Sequence, residues 1–251
     1  MDERKGVYFV SDVHLGLKVG DPAERESRFV SFLRSIPAGS TRAVYLLGDI
    51  WDFWYEYRDV VPRIGTRVIA SLVDLIDKGV EVFFFEGNHD MWTFSYFESL
   101  GMKKLSQPCF VTIGDKSFCL GHGDGLGGAK WSYSLMLKVF HSKTARALFS
   151  TLHPWIAYRF GLWWSGSNRR THEPYHFGGK DEPLYKFALA CLEARKVDYF
   201  VFGHFHDAVD MEIEGGARLY VVKDWMDGGM PCLYYEAGST LSPRFEGLPS
   251  L

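Results

Sequence analysis

Residues 125–172, forty-eight in a row, contain neither aspartate nor glutamate. The chain also lacks any apolar run near the roughly 20 residues a spanning helix needs. Its four cysteines show no CxxC spacing, and its net charge of −3 is close to balance. Of the last three absences, the first excludes a transmembrane helix. The second argues against a cysteine metal or redox site, and the third removes any global attraction to nucleic acid. The start, Met1-Asp2-Glu3-Arg4-Lys5, is charged and runs straight into an apolar strand. That is not the layout of a secretory signal, so the cytoplasm is the expected location. Cys109, Cys119, Cys191 and Cys232 each sit in an apolar segment and read as reduced, buried thiols. At 251 residues the chain fits one domain, or a domain carrying an insertion.

Five apolar stretches end in oxygen or imidazole donors. Residues 7–10 lead into Ser11-Asp12-Val13-His14, and residues 43–47 stop at Gly48 before Asp49-Ile50-Trp51-Asp52. Residues 82–85 precede Glu86-Gly87-Asn88-His89-Asp90, residues 118–120 precede Gly121-His122-Gly123-Asp124, and residues 199–202 precede Gly203-His204-Phe205-His206. The junction of strand and loop is where α/β enzymes place working groups. Asp21-Pro22 reads as a helix cap with Phe29, Phe32, Leu33 and Ile36 at helical spacing behind it, and residues 64–78 read as an amphipathic helix closed by Gly79. The order β-α-β-α-β then implies a parallel sheet with right-handed crossovers. Residues 110–113 and 117–120 form an expected hairpin about Gly114-Asp115, and the short strands 218–222 and 232–236 are expected in a second sheet closing the core.

The donors Asp12, His14, Asp49, Asn88, His122, His204 and His206 mix carboxylate, amide and imidazole, a set that suits Mn, Fe or Zn better than Ca. Seven donors exceed what one ion needs. They suit two ions sharing a bridging carboxylate, about 3.5–4 Å apart, which makes hydroxide available near neutral pH without a protein nucleophile. His89 follows Asn88 directly, so it is read as the group that stabilises charge or protonates a leaving oxygen. Asp52 and Asp90, with Asp124 beside them, are read as acceptors that fix histidine tautomers.

The acid-free stretch carries Lys130, Lys138, Lys143, Arg146, Arg159, Arg169 and Arg170, together with nine aromatic residues that include Trp131, Trp155, Trp163 and Trp164. Leu135, Met136, Val139 and Phe140 fall on one face of an expected helix. A basic, aromatic, amphipathic helix reads as an element that touches a lipid surface. Packing as a lid on the main domain accounts for the apolar face equally well. It does not account for the missing acids, which point to an anionic partner: a diphosphate, an anionic bilayer, or both.

Taken in order, Asp12-Val13-His14, Gly48-Asp49-Ile50-Trp51-Asp52, Gly87-Asn88-His89-Asp90, Gly121-His122-Gly123-Asp124 and Gly203-His204-Phe205-His206 make the chain resemble the calcineurin-like metallophosphoesterases over residues 7–206. The resemblance implies an α/β fold of two packed mixed sheets flanked by helices. It also implies a first metal on Asp12, His14, Asp49 and His206 and a second on Asp49, Asn88, His122 and His204, with Mn2+ the expected ion. Within that family the chain is similar to the UDP-2,3-diacylglucosamine pyrophosphatases of lipid A synthesis, through Phe9-Val10-Ser11-Asp12-Val13-His14-Leu15-Gly16, the run from Gly48 to Trp54, and the basic aromatic insertion.

That similarity implies cleavage to UMP and 2,3-diacylglucosamine 1-phosphate by a protein peripheral to the inner face of the cytoplasmic membrane. It divides the chain into a core, 1–124 and 177–251, and a helical lid, 125–176, in which Ser167, Asn168 and Arg169 are the expected substrate contacts. The best-known members carry arginine at the position of His89, and threonine then arginine where this chain has Phe205 and Asp207. Two other readings remain open on the residues alone. A soluble phosphodiesterase or nuclease would use the same metals and stack bases on the aromatic patch, and a non-enzymatic interaction module would keep the fold without the ions. No nucleic-acid partner is expected on the leading reading.

Overall fold

The computed structural model describes residues 4–128, 131–170 and 176–244, apart from the side chains of 167–170 and 244. The first strand, β1 (Gly6–Val10), is buried along its whole length. Val7 and Phe9 face a core between two sheets, while Tyr8 and Val10 face a helical layer, so both faces are apolar and no polar alternation shows. Helix α1 (Pro22–Ser35) begins where Asp21 accepts the N–H groups of Ala23 and Glu24 at 2.9 and 3.1 Å, with Pro22 in its first turn. Then come β2 (Thr41–Leu46), α2 (Thr66–Asp77) and β3 (Glu81–Phe85). The short elements α3 (Tyr96–Ser99) and β4 (Lys103–Leu105) close this half. The expected hairpin is β5 (Cys109–Ile113) and β6 (Lys116–Leu120), turning at Gly114 with φ 62°.

Three helices follow in the acid-free stretch: α4 (Trp131–Phe140), α5 (Lys143–Ser150) and α6 (Pro154–Arg170). The chain returns through α7 (Pro183–Ala194), β7 (Tyr199–Phe202), β8 (Val209–Glu212) and β9 (Arg218–Val221), and ends in β10 (Cys232–Glu236) and β11 (Ser242–Arg244). The strands make two mixed sheets, ordered β11-β10-β1-β2-β3-β4 and β5-β6-β7-β9-β8. Phe9, Tyr45, Phe118, Tyr199 and Tyr235 fill the space between them; α1 and α2 cover the far face of the first, and α7 covers the far face of the second.

The sequence places 218–222 and 232–236 together in a second sheet, and the structure separates them. β9 lies parallel to β7, whereas β10 lies antiparallel to β1 from Gly6↔Glu236 to Phe9↔Leu233. An apolar strand pattern says that a strand is buried, not which sheet edge receives it. The outcome matters for the site, because β1, β2 and β3 run parallel in one sheet and β6, β7 and β9 run parallel in the other. No helix among the described residues is long and apolar enough to cross a membrane. Cys119 and Cys232 are buried, and Cys109 and Cys191 half-buried.

Candidate metal centre

The loops after β1, β2, β3, β6 and β7 meet at one place. Around Asp49 Oδ2 stand His122 Nε2 at 3.4 Å, His14 Nε2 at 3.7 Å and His89 Nε2 at 4.0 Å. Around Asp12 Oδ1 stand His14 Nε2 at 3.6 Å and His206 Nε2 at 3.7 Å. Asn88 Oδ1 lies 3.2 Å from His122 Nε2, and the His204 ring centroid is 5.1 Å from that of His122. All seven expected ligand positions are therefore in one cluster. Asp12, His14, Asp49 and His122 are buried, and Asn88, His204 and His206 line its edge.

Assembling the cluster strains the backbone. Asp12, His14, Asp49, His204 and His206 have φ between 49° and 73°, and no other described non-glycine residue has a positive φ. Such conformations persist only where surrounding structure enforces them, and they concentrate at functional sites. Glycine supplies the room. A Cβ on Gly87 would collide with Asp49 Oδ1, and one on Gly203 with Ser11 Oγ and Asp12 Oδ2. One oxygen of each carboxylate anchors a neighbouring loop: Asp12 Oδ2 accepts the N–H of His204 at 2.9 Å, and Asp49 Oδ1 accepts that of His89 at 2.8 Å. The other oxygen of each faces imidazole nitrogens. Asp12 Oδ1 is buried and has no hydrogen-bond donor, the condition of an atom that awaits a cation. The donor types and this unpaired oxygen fit divalent metal ions.

Outer contacts fix the rings. His14 Nδ1 is 3.3 Å from Asp52 Oδ1, His122 Nδ1 donates to the Leu47 carbonyl at 2.9 Å, and His89 Nδ1 donates to the Asp52 carbonyl at 3.1 Å. Each assigns the proton to Nδ1 and turns Nε2 inward. Asp52 thus stands behind the ring of His14. Asp90 does not: its carboxylate accepts the N–H groups of Gly87, Asp49, Ile50 and Trp51 at 2.8 to 3.2 Å, and so ties two donor loops together instead of orienting a histidine. Asp124 also lacks a ring N–H; Gln107 Nε2 donates to it at 2.6 Å and the Tyr133 hydroxyl of α4 at 3.4 Å.

Burial alone would push the Asp12 and Asp49 carboxyls up, yet the histidines around them hold both well below the usual carboxylate range. Burial and the charge of Asp49 push Asp90 up to about 7. For His204, burial and the neighbouring His122 bring the ring down to about 4, so it stands neutral and ready to act as a ligand.

Sequence reasoning missed two contributors. Asp224, in the loop after β9, has Oδ2 at 3.3 Å from His206 Nδ1. It obeys the same strand-then-donor rule, two residues beyond Val222. Ser165, in α6, donates to Asp52 Oδ1 at 2.9 Å with both side chains buried, joining the inserted helices to the ring support of His14. Nothing local marks that serine. Ser167, Asn168 and Arg169 lie in the last turns of α6, and their side chains are outside the described residues.

The inserted helices are fastened by aromatic residues of the loops that carry the donors. Trp92 Nε1 donates to the Phe140 carbonyl at 2.9 Å, the Tyr55 hydroxyl to Arg146 O at 2.8 Å, and the Tyr57 hydroxyl to Leu152 O at 3.1 Å. Phe149 packs on Trp92 and Tyr55, with ring centroids 4.7 and 4.8 Å apart. The expected apolar face of α4 divides: Phe140 turns inward with Leu137, while Leu135 and Val139 stay exposed. Between α6 and the loop after Asp52 lies a cleft of about 590 Å³ with apolar walls that include Phe53, Val61, Ile64, Trp155 and Tyr158, and with Arg63 and Arg159 among its lining residues.

Comparison with known proteins accords with this geometry. The family model described as calcineurin-like phosphoesterase matches residues 6–208. A UDP-2,3-diacylglucosamine hydrolase of Porphyromonas gingivalis is 36% identical over 240 residues, which cover 89% of this chain and 91% of that protein. A protein of the same name from Aeromonas hydrophila is 28% identical, with 88% and 91% covered. Among solved structures, a dimetal phosphatase from Danio rerio superposes with a TM-score of 0.53 at 15% identity, covering 98% of this chain and 97% of that one, a likeness of fold.

Proposed function

The chain belongs to the calcineurin-like phosphoesterase family, and from that premise we propose that it hydrolyses the diphosphate of UDP-2,3-diacylglucosamine to UMP and 2,3-diacylglucosamine 1-phosphate. The observation that carries the reading is a juxtaposition. A cluster of metal donors lies at the foot of a basic, aromatic helical insertion and touches it through Ser165 and Asp52. A substrate with a diphosphate at one end and acyl chains at the other has use for both parts.

The family implies divalent ions. Asp12, His14, Asp49 and His206 would hold one, and Asp49, Asn88, His122 and His204 the other, Mn2+ being the ion we assign. When bound, such a pair supplies Lewis acidity to phosphate oxygens and hydroxide at neutral pH. The chain itself supplies orientation. Water adds at the uridine-side phosphorus, the bond from that phosphorus to the bridging oxygen breaks, and the sugar phosphate leaves on that oxygen. His89 is held by its Nδ1–H on the Asp52 carbonyl, and its Nε2 lies 4.0 Å from Asp49 Oδ2 at a partly exposed position, from which it would donate a proton to the departing oxygen. The apolar cleft beside Asp52 offers walls to an acyl chain, and Arg63 and Arg159 offer it charge.

We assign the protein to the cytoplasmic face of a bilayer, bound peripherally through the insertion. Trp131, Leu148, Trp155 and Trp163 are each more than 60% exposed there, beside lysines and arginines and without an acid. Incubation of the full chain with Mn2+ and the diacylated sugar nucleotide tests the whole reading. Release of UMP is expected; turnover of simple phosphodiesters with that substrate untouched overturns it. Flotation with anionic vesicles tests the membrane part by itself.

A further inference from the structure

The two sides of the donor cluster are supported differently. On the Asp12 side, both histidines have their outer nitrogen against a carboxylate: His14 Nδ1 is 3.3 Å from Asp52, and His206 Nδ1 is 3.3 Å from Asp224. On the other side, His122 leans on the neutral carbonyl of Leu47, Asn88 is itself neutral, and the His204 ring makes no hydrogen bond among the described residues. A carboxylate behind an imidazole fixes its tautomer, restricts its rotation and makes the inward nitrogen a stronger donor than a carbonyl does.

Asp224 is built into its place. It is 6% exposed, and its Oδ1 accepts the Met226 N–H at 2.8 Å, which leaves Oδ2 toward His206. The next residue, Trp225, is fully buried against Phe29 and Phe32 with ring centroids 4.9 and 5.4 Å away, and its backbone N–H donates to the Asp12 carbonyl at 3.2 Å. The residue before, Lys223, reaches the His206 carbonyl at 3.4 Å. One three-residue segment therefore grips the backbone of Asp12 and both ends of His206. The His206 Nδ1 is buried, and the Asp224 carboxylate 3.3 Å away is the acceptor that faces it.

Resting on the dinuclear reading above, we infer that Asp224 is a positioning residue. It holds His206 Nε2 toward the unpaired Asp12 oxygen and, with Asp52, makes the Asp12–His14–His206 position the tighter of two unequal cation positions. The Asn88–His122–His204 position exchanges more readily.

The test is cation binding by the full chain after metal removal, titrated with Mn2+ and followed by the spin-resonance signal of the free ion. Two classes of binding are expected in the unmodified protein. Asp224→Asn, which keeps the volume and removes the charge, weakens the tight class about 10- to 100-fold and leaves the weak class within about threefold. A tight class that Asp224→Asn does not move, or two classes weakened equally, overturns the role of Asp224. An unmodified chain that binds fewer than two ions overturns the dinuclear reading itself. A second measurement needs no variant: crystals of the unmodified chain with one equivalent of Co2+ are expected to show the ion, by its anomalous scattering, between Asp12, His14 and His206. The ion found instead against Asn88, His122 and His204 refutes the inequality.

Discussion

The eight tryptophans divide evenly between two regions and do opposite work in them. Trp51, Trp54 and Trp225 are completely buried and Trp92 nearly so, while in the inserted helices Trp131 is 79% exposed, Trp163 63%, Trp155 62% and Trp164 41%. In the two-sheet core an indole fills volume between strands and helices, and its contribution is stability. In the insertion α4 and α5 bury no residue at all, and the rings that do pack inward, Phe140 and Phe149, meet aromatic partners on the donor loops. Exposed aromatic surface on this scale marks a contact surface more than a scaffold. The difference teaches that one residue type, read from composition alone, conceals two environments, one packed and one exposed.

The strongest way to break this division is in the core. Trp225→Ala removes a ring wedged against Phe29 and Phe32 and is expected to cost about 3–5 kcal/mol of stability, read by urea unfolding. A loss below about 1 kcal/mol would place Trp225 with the inserted tryptophans. Next in size is Asp49→Asn, expected to lower hydrolysis roughly 10²- to 10³-fold while the fold stays intact, since it removes the charge shared by His14, His89 and His122. Chelation should mimic that loss, and added Mn2+ should reverse it for the unmodified chain. Ser165→Ala addresses the joint between the two regions. It deletes a buried hydrogen bond to a carboxylate and is expected to cost about 1–3 kcal/mol by thermal unfolding, with a fall in kcat greater than any change in KM, because Asp52 then supports His14 less firmly.

Much of the core was legible because its signals are local. Asp21-Pro22 caps α1, Gly114 turns the hairpin, and apolar runs such as 7–10 and 199–202 announce buried strands. The donor set was legible for a related reason: each ligand follows a strand directly, so its identity and its place are encoded together. What could not be read depends on residues far apart in the chain meeting. Asp90 bonds backbone amides about forty positions away, and Ser165 reaches Asp52 across more than a hundred. β8, β4 and β11 have three or four residues, too few to show a period. In the insertion, spacing found a helix but not its inward face, because that face is chosen by Trp92, which lies outside it.

The smallest effect expected in stability is also the sharpest for the comparison. Trp163→Ala in α6 removes an exposed ring, so unfolding should shift by no more than about 0.5 kcal/mol. Binding to anionic vesicles should nonetheless weaken measurably, because buried apolar area and basic charge act together at an interface. Raising the salt concentration should weaken it further, since the lysines and arginines of the acid-free stretch are screened within about 8 Å at physiological ionic strength. Paired with Trp225→Ala, the substitution forms a crossed test: one tryptophan changes stability and leaves vesicle affinity per folded molecule alone, and the other does the reverse. If Trp163→Ala destabilised the fold by several kcal/mol, the ring would be part of a packed interface, and the insertion would have to be regarded as scaffold like the sheets beneath it.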